Sequence, residues 1–190
     1  MGYGARELIY AAPFANALVQ DSDFRSWVLG KTKFADYANT ARLLDREMLA
    51  KRSKKTATWW RSHFSEKCRC FGCSGQETDL LAVFETPTGM RFALNVEVKH
   101  PGDKFKPDQA SAYPARAKCW TLEAKTPKHV LAHAASATGV LFSEGNRKKF
   151  APDLQHFETQ ITFEEIADRF PNVGFGVYVN CQAKQKHRKS

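Results

Sequence analysis

The chain has 190 residues, 43% of them hydrophobic and 26% charged. That balance supports one packed domain and excludes a chain too polar to fold. Lys and Arg outnumber Asp and Glu by 29 to 20, a formal net charge of +9, which suits a polyanionic partner. No apolar run reaches the roughly 18–20 residues of a membrane span. The acidic residue near the N-terminus argues against a secretory leader. A cytoplasmic location without membrane contact is expected. The expected layout is a single domain over 1–183, with a helical extension in 1–40, a core in 41–145 and a basic tail in 184–190.

The first third reads helical. Ser22 is placed to cap a short helix running toward Leu29, with Gly30 as its stop. From Phe34 onward, Tyr37, Ala41, Leu44 and Met48 recur at the spacing of one face of a longer helix. Nine Lys or Arg fall between Arg42 and Arg69, against Asp45, Glu47 and Glu66. Within that basic stretch, Trp59, Trp60 and Phe64 suggest a second helical segment packed on the domain.

Residues 79–99 change character. Asp79 to Phe84 is strand-like, Thr86-Pro87-Thr88-Gly89 supplies turn chemistry, and Arg91 to Lys99 alternates strictly. Phe92, Leu94, Val96 and Val98 point one way; Arg91, Ala93, Asn95, Glu97 and Lys99 point the other. An antiparallel hairpin is predicted. A loop over Pro101 to Pro107 leads to a helix within Ser111 to Lys125. Strands are expected at His129 to Ala134 and Thr138 to Phe142. Thr162-Phe163-Glu164-Glu165 reads as a capping box opening a short helix that Pro171 ends, and Gly174 to Cys181 reads as a last strand.

The alternation puts Glu97 and Lys99 on one side of their strand, with Asp79 on the adjoining one. Two carboxylates offer hard oxygen ligands to Mg²⁺. A neighbouring ammonium can orient the attacking water and stabilise developing charge. The pattern suits metal-assisted phosphodiester hydrolysis.

Asp79, with Glu97-Val98-Lys99 eighteen positions later on a hairpin, resembles the PD-(D/E)XK nuclease superfamily over roughly Arg42 to Phe142. The resemblance implies a restriction-endonuclease-like αβββαβ core, an α/β fold with a mixed central sheet flanked by helices. It implies that Asp79, Glu97 and Val98 hold Mg²⁺, for which Mn²⁺ can substitute, and that Lys99 is catalytic together with the two carboxylates. Many members add a Glu on the preceding helix, a role that falls on Glu47, with Glu77 as competitor. Gln109 and Tyr113 match the QxxxY spacing of the RecB-like branch, although Pro114 follows at once. They join Lys54 and Lys55 as expected nucleic-acid contacts. The family's Pro before the Asp is Thr78 here. The implied partner is DNA, with a homodimer as one arrangement. No phosphate-cradling Gly-rich loop is present, so any ATPase would be a separate chain.

Two readings compete with a DNA-cleaving enzyme. One is a non-catalytic nucleic-acid-binding domain of the same fold. The other is an interaction protein stabilised by zinc at Cys68, Cys70 and Cys73, with His63 or Cys119 as fourth ligand. Five cysteines in a chain expected in the cytoplasm argue against a disulfide framework.

Overall fold

The computed structural model describes residues 5–52, 58–64 and 77–174. The expected contacts at Lys54 and Lys55, the cluster Cys68, Cys70 and Cys73, the strand to Cys181 and the basic tail lie outside them. The fold is mixed α/β. Helices α1 (Ala5–Gln20) and α2 (Ser22–Gly30) lead to β1 (Arg42–Leu43), α3 (Asp45–Ala50) and β2 (His63–Phe64). Next come β3 (Glu77–Thr78), β4 (Leu80–Glu85), β5 (Arg91–Lys99), α4 (Gln109–Trp120) and β6 (Ala135–Phe142). The described part ends with α5 (Arg147–Leu154), β7 (Thr159–Thr162) and α6 (Phe163–Arg169). Among the described residues, no helix is long and apolar enough to cross a membrane.

The main sheet runs β1-β4-β5-β6-β7, while β2 and β3 form a separate ladder. The predicted hairpin is present: β4 and β5 pair antiparallel from Leu80 opposite Val96 to Glu85 opposite Arg91. Gly89 takes φ +83° in its turn, a conformation only glycine adopts without cost. From β5 the chain crosses over through α4 and returns in β6, parallel to β5; β7 is parallel to β6.

Both sheet faces are covered. Phe84, Phe92, Leu94 and Val98 pack against Phe14 and Leu18 of α1, Phe24 of α2 and Ile166 of α6. On the other face Leu81, Val83 and Ala93 meet Met48 and Trp120, while Val140 and Phe142 meet Tyr113 and Phe150. The alternation in β5 therefore marks two buried faces rather than an inner and an outer one. Asn95, Glu97 and Lys99 are 1%, 1% and 3% exposed.

Several helical expectations give way to tertiary packing. The long helix from Phe34 is instead a single 3₁₀ turn at Ala35–Tyr37, then β1 and α3. Its supposed face is split, because Tyr37 and Ala41 join the core on one side of the sheet and Leu44 and Met48 the core on the other. A single helix stripe cannot serve both sides. The chain crosses the sheet edge as β1, with Leu43 opposite Phe84. The stretch from Trp59 to Phe64 is likewise no helix: Ser62 has φ +60° and β2 follows. His129 to Ala134 is turn and coil, not strand, with Val130 and Leu131 buried beneath α4.

Caps follow the side chains that can accept. Asp21, not Ser22, caps α2, its Oδ1 accepting from the N–H groups of Asp23 and Phe24 at 2.9 Å each. Thr162 caps α6 as the box predicts, accepting from the Glu165 N–H at 3.1 Å. Helix α5 and strand β7 lie where no element is expected.

Candidate active site

The site forms where the C-terminal end of β5 meets the start of α4. Glu97 and Lys99 point to the α4 side of the sheet, and α4 begins with Gln109 above them. Lys99 Nζ lies 2.7 Å from Glu97 Oε1 and 3.5 Å from Asp103 Oδ2. It also donates to Gln109 Oε1 at 3.0 Å and sits 4.8 Å from the centre of the Phe105 ring. Gln109 Nε2 donates to Glu97 Oε1 at 2.6 Å. The other carboxylate oxygen, Glu97 Oε2, is buried without a hydrogen-bond partner among the described residues.

Asp79 occupies the break between β3 and β4. Its Oδ2 accepts the Val98 N–H at 2.8 Å, and its own N–H donates to Tyr113 Oη at 3.1 Å. The Tyr113 hydroxyl in turn donates to the Val96 carbonyl at 3.4 Å. The residue as a whole is half-buried, yet burial of its carboxyl group is the leading cause of a pKa raised well above the ordinary value. The neighbouring Glu97 charge adds to the rise, and the Val98 N–H opposes it. Tyr113, buried beside both acids, is also shifted well upward, first by burial and then by Asp79 and Glu97. For Lys99 burial pulls downward, but Glu97, Asp103 and Asp79 together outweigh it, and its pKa is raised.

Asp79, Glu97, Lys99, Gln109 and Tyr113 are thus assembled as one cluster. Pro114 does not separate Gln109 from Tyr113; both belong to α4 with Pro114 inside it. Glu47 does not join them. Its carboxylate pairs with Arg42 at 2.8 Å, and Arg42 also holds Glu85 at 3.1 Å. That is the far end of β4 from Asp79, about 20 Å away at some 3.3 Å per strand residue. Glu77 stays near, with a pKa raised by burial and then by Glu7. Sequence reading missed Glu7, whose charge on α1 also contributes to the rise at Asp79. It likewise missed Asp103 and Phe105, which close over Lys99 from a loop with no periodicity.

An orphaned carboxylate oxygen and a second acid held near it by the hairpin are the donor chemistry of a hard divalent cation. Among the described residues no group of three or more His, Cys, Asp or Glu converges on a metal position. Asp79 and Glu97 would therefore need main-chain oxygen or water to complete a coordination shell, as Mg²⁺ commonly does.

Of the expected zinc ligands, Cys68, Cys70 and Cys73 lie outside the described residues, and the two candidates for the fourth position are both otherwise engaged. Cys119 is disulfide-bonded, although the cysteine count argues against a disulfide framework. His63 is fully buried with both nitrogens engaged, Nδ1 at 3.1 Å from Arg52 Nη1 and Nε2 at 2.9 Å from the Trp59 carbonyl. Arginine only donates, so Nδ1 must accept and Nε2 must carry the proton. Burial, then the Arg52 charge, brings the His63 pKa down to about 3.

No family model, curated protein or solved structure matches the chain. The coarse class rests on the structure itself: a mixed five-stranded sheet flanked by helices.

Proposed function

We propose that the protein is a divalent-metal-dependent nuclease that hydrolyses DNA phosphodiester bonds. The observation that carries this reading is the buried pair of carboxylates, Asp79 and Glu97, with the Lys99 ammonium 2.7 Å from Glu97 Oε1. Supporting it is the pairing order of β1, β4, β5 and β6, three antiparallel strands followed by a helical crossover to a parallel one. A restriction-endonuclease-like core requires the same order.

In this reading Asp79, Glu97 and Val98 would hold Mg²⁺ or Mn²⁺. Held there, such an ion would supply positive charge to the phosphate and lower the pKa of a bound water. Lys99 orients the attacking water and stabilises the charge growing on the phosphate oxygens. Gln109 keeps Glu97 Oε1 and Lys99 in register by bonding both. Phe105 shields the ammonium from solvent on one side. The basic surface gathers DNA through its phosphates without reading sequence.

A plasmid-nicking assay with Mg²⁺, Mn²⁺ or EDTA tests the proposal. The wild-type chain should nick with either metal and stop in EDTA, and Asp79→Ala and Glu97→Ala should each abolish cleavage and metal binding. DNA binding without cleavage under all metal conditions would instead identify a non-catalytic DNA-binding domain.

A further inference from the structure

Asp79 belongs to no strand ladder. Thr78 pairs with His63 on one side of it, and Leu80 pairs with Val96 on the other. The position of its carboxylate therefore depends on the groups that hold residues 78 and 79 individually. Two of these are the Tyr113 hydroxyl and the Val98 N–H described above.

The third is Arg116. It lies three residues after Tyr113, on the same side of α4. Its guanidinium carbon stands 4.3 Å from the centre of the Tyr113 ring, and its Nε–H donates to Thr78 Oγ1 at 2.9 Å. One side chain thus touches both groups that flank Asp79, the hydroxyl-bearing ring that accepts its N–H and the residue just before it. We infer that Arg116 is a positioning residue that fixes the Asp79 carboxylate against Glu97.

Stability alone does not account for an arginine here. Arg116 is 1% exposed, and its buried Nη1 and Nη2 have no hydrogen-bond partner among the described residues. A buried cation with unmet donors is costly, and an apolar side chain of similar length is commonly as stable or more so. Violations of polar satisfaction of this kind concentrate at functional sites. The Arg116 charge also opposes the upward pull of Asp79 and Glu97 on the Tyr113 hydroxyl, which ties it electrostatically to the same cluster. Lysine would not substitute, because it lacks a planar group to stack on the ring while donating sideways to Thr78.

The inference rests on the metal-nuclease reading for its purpose, but its geometry can be tested apart from it. Arg116→Met and Thr78→Val remove the bond from either end while keeping volume; Thr78→Ser keeps the hydroxyl. Three readouts are compared: melting temperature, Mn²⁺ affinity by calorimetry, and amide hydrogen exchange at Asp79 and Val98 by NMR. Arg116→Met should melt no lower than the wild type. Its Mn²⁺ dissociation constant should rise about tenfold, the lower end for losing a group that orients a metal ligand. Exchange at Asp79 and Val98 should quicken while that of Leu94 in mid-strand stays unchanged. Thr78→Val should reproduce these effects and Thr78→Ser should not. Unchanged exchange and affinity in a folded Arg116→Met protein would overturn the role, as would a lowered melting temperature with uniformly faster exchange. If Arg116→Met does not fold, Thr78→Val decides. If the wild type binds no Mn²⁺, the nuclease reading falls, and exchange at Asp79 and Val98 still decides whether Arg116 positions this carboxylate.

Discussion

At Asp79 the proposed metal site and stability pull against each other. Its folded-state pKa is raised, first by burial and then by Glu97, so the folded protein binds that proton more tightly than the unfolded chain does. By linkage, stability is lost as pH rises from the unfolded carboxyl value near 4 through the raised folded value. Asp79→Asn stays neutral throughout. It should melt higher than the wild type at pH 7, by about 2–4 °C for each kcal/mol recovered in a chain of this length, and should show a flatter fall over that pH range. Added Mg²⁺ should raise the melting temperature of the wild type and leave Asp79→Asn unmoved. A pH profile of Asp79→Asn identical to wild type would show that the carboxyl carries no such strain. Lys99 fails in the opposite sense. Lys99→Met removes the ammonium but leaves the two carboxylates, so cleavage should drop roughly 10²- to 10³-fold, the scale of comparable electrostatic deletions. DNA binding should persist, and more Mg²⁺ should not restore the rate. The same substitution breaks a buried ion pair, for which a cost of about 3–5 kcal/mol is typical, so it should also melt lower.

Helix α4 is the element on which the site depends, since it carries Gln109, Tyr113 and Arg116 over β5. Its sequence discourages a helix across Pro114, which has no N–H to offer the Ala110 carbonyl one turn earlier. The helix forms because Ala110, Ala112, Tyr113, Ala117, Cys119 and Trp120 are all buried by docking on the sheet, and tertiary contact outweighs local preference. Pro114 itself is exposed. Pro114→Ala should restore the missing bond and stabilise the protein by about 1–2 kcal/mol, less than the full helix-interior difference because alanine also frees the unfolded chain. Denaturant unfolding measures this, and nicking activity should be retained. A destabilised Pro114→Ala protein would mean that the ring packs or pre-sets the backbone at this turn.

Across the whole molecule, basic side chains outnumber acidic ones by 29 to 20, an excess that the described residues of the site, mostly acidic, do not share. It is available to a polyanion. Replacing Lys54 and Lys55 together by Ala should weaken binding to DNA of any sequence alike. The slope of log affinity against log salt should flatten by about 0.9 for each phosphate no longer neutralised. Weakening confined to one sequence would show that these lysines read bases.

The hairpin, the crossover helix and the trio Asp79, Glu97 and Lys99 are legible in the sequence because each is written at short range. Strict alternation over nine residues, a turn with Gly89 at its close, and two functional groups two positions apart need no knowledge of what packs on them. Gln109 and Tyr113 are legible as a spacing, but only the docking of α4 makes them one face. Glu7, Asp103, Phe105 and Arg116 carry no local signal, since they reach the site from a separate helix, an irregular loop and a turn beyond the recognised spacing. The same distinction explains the broken helix after Phe34, whose apolar period is real but serves two cores on opposite sides of a sheet. Period reports which residues are buried. Which side of the sheet buries them is decided only when distant strands pair, and that pairing also turns the polar stripe of β5 from a wet surface into an interior site.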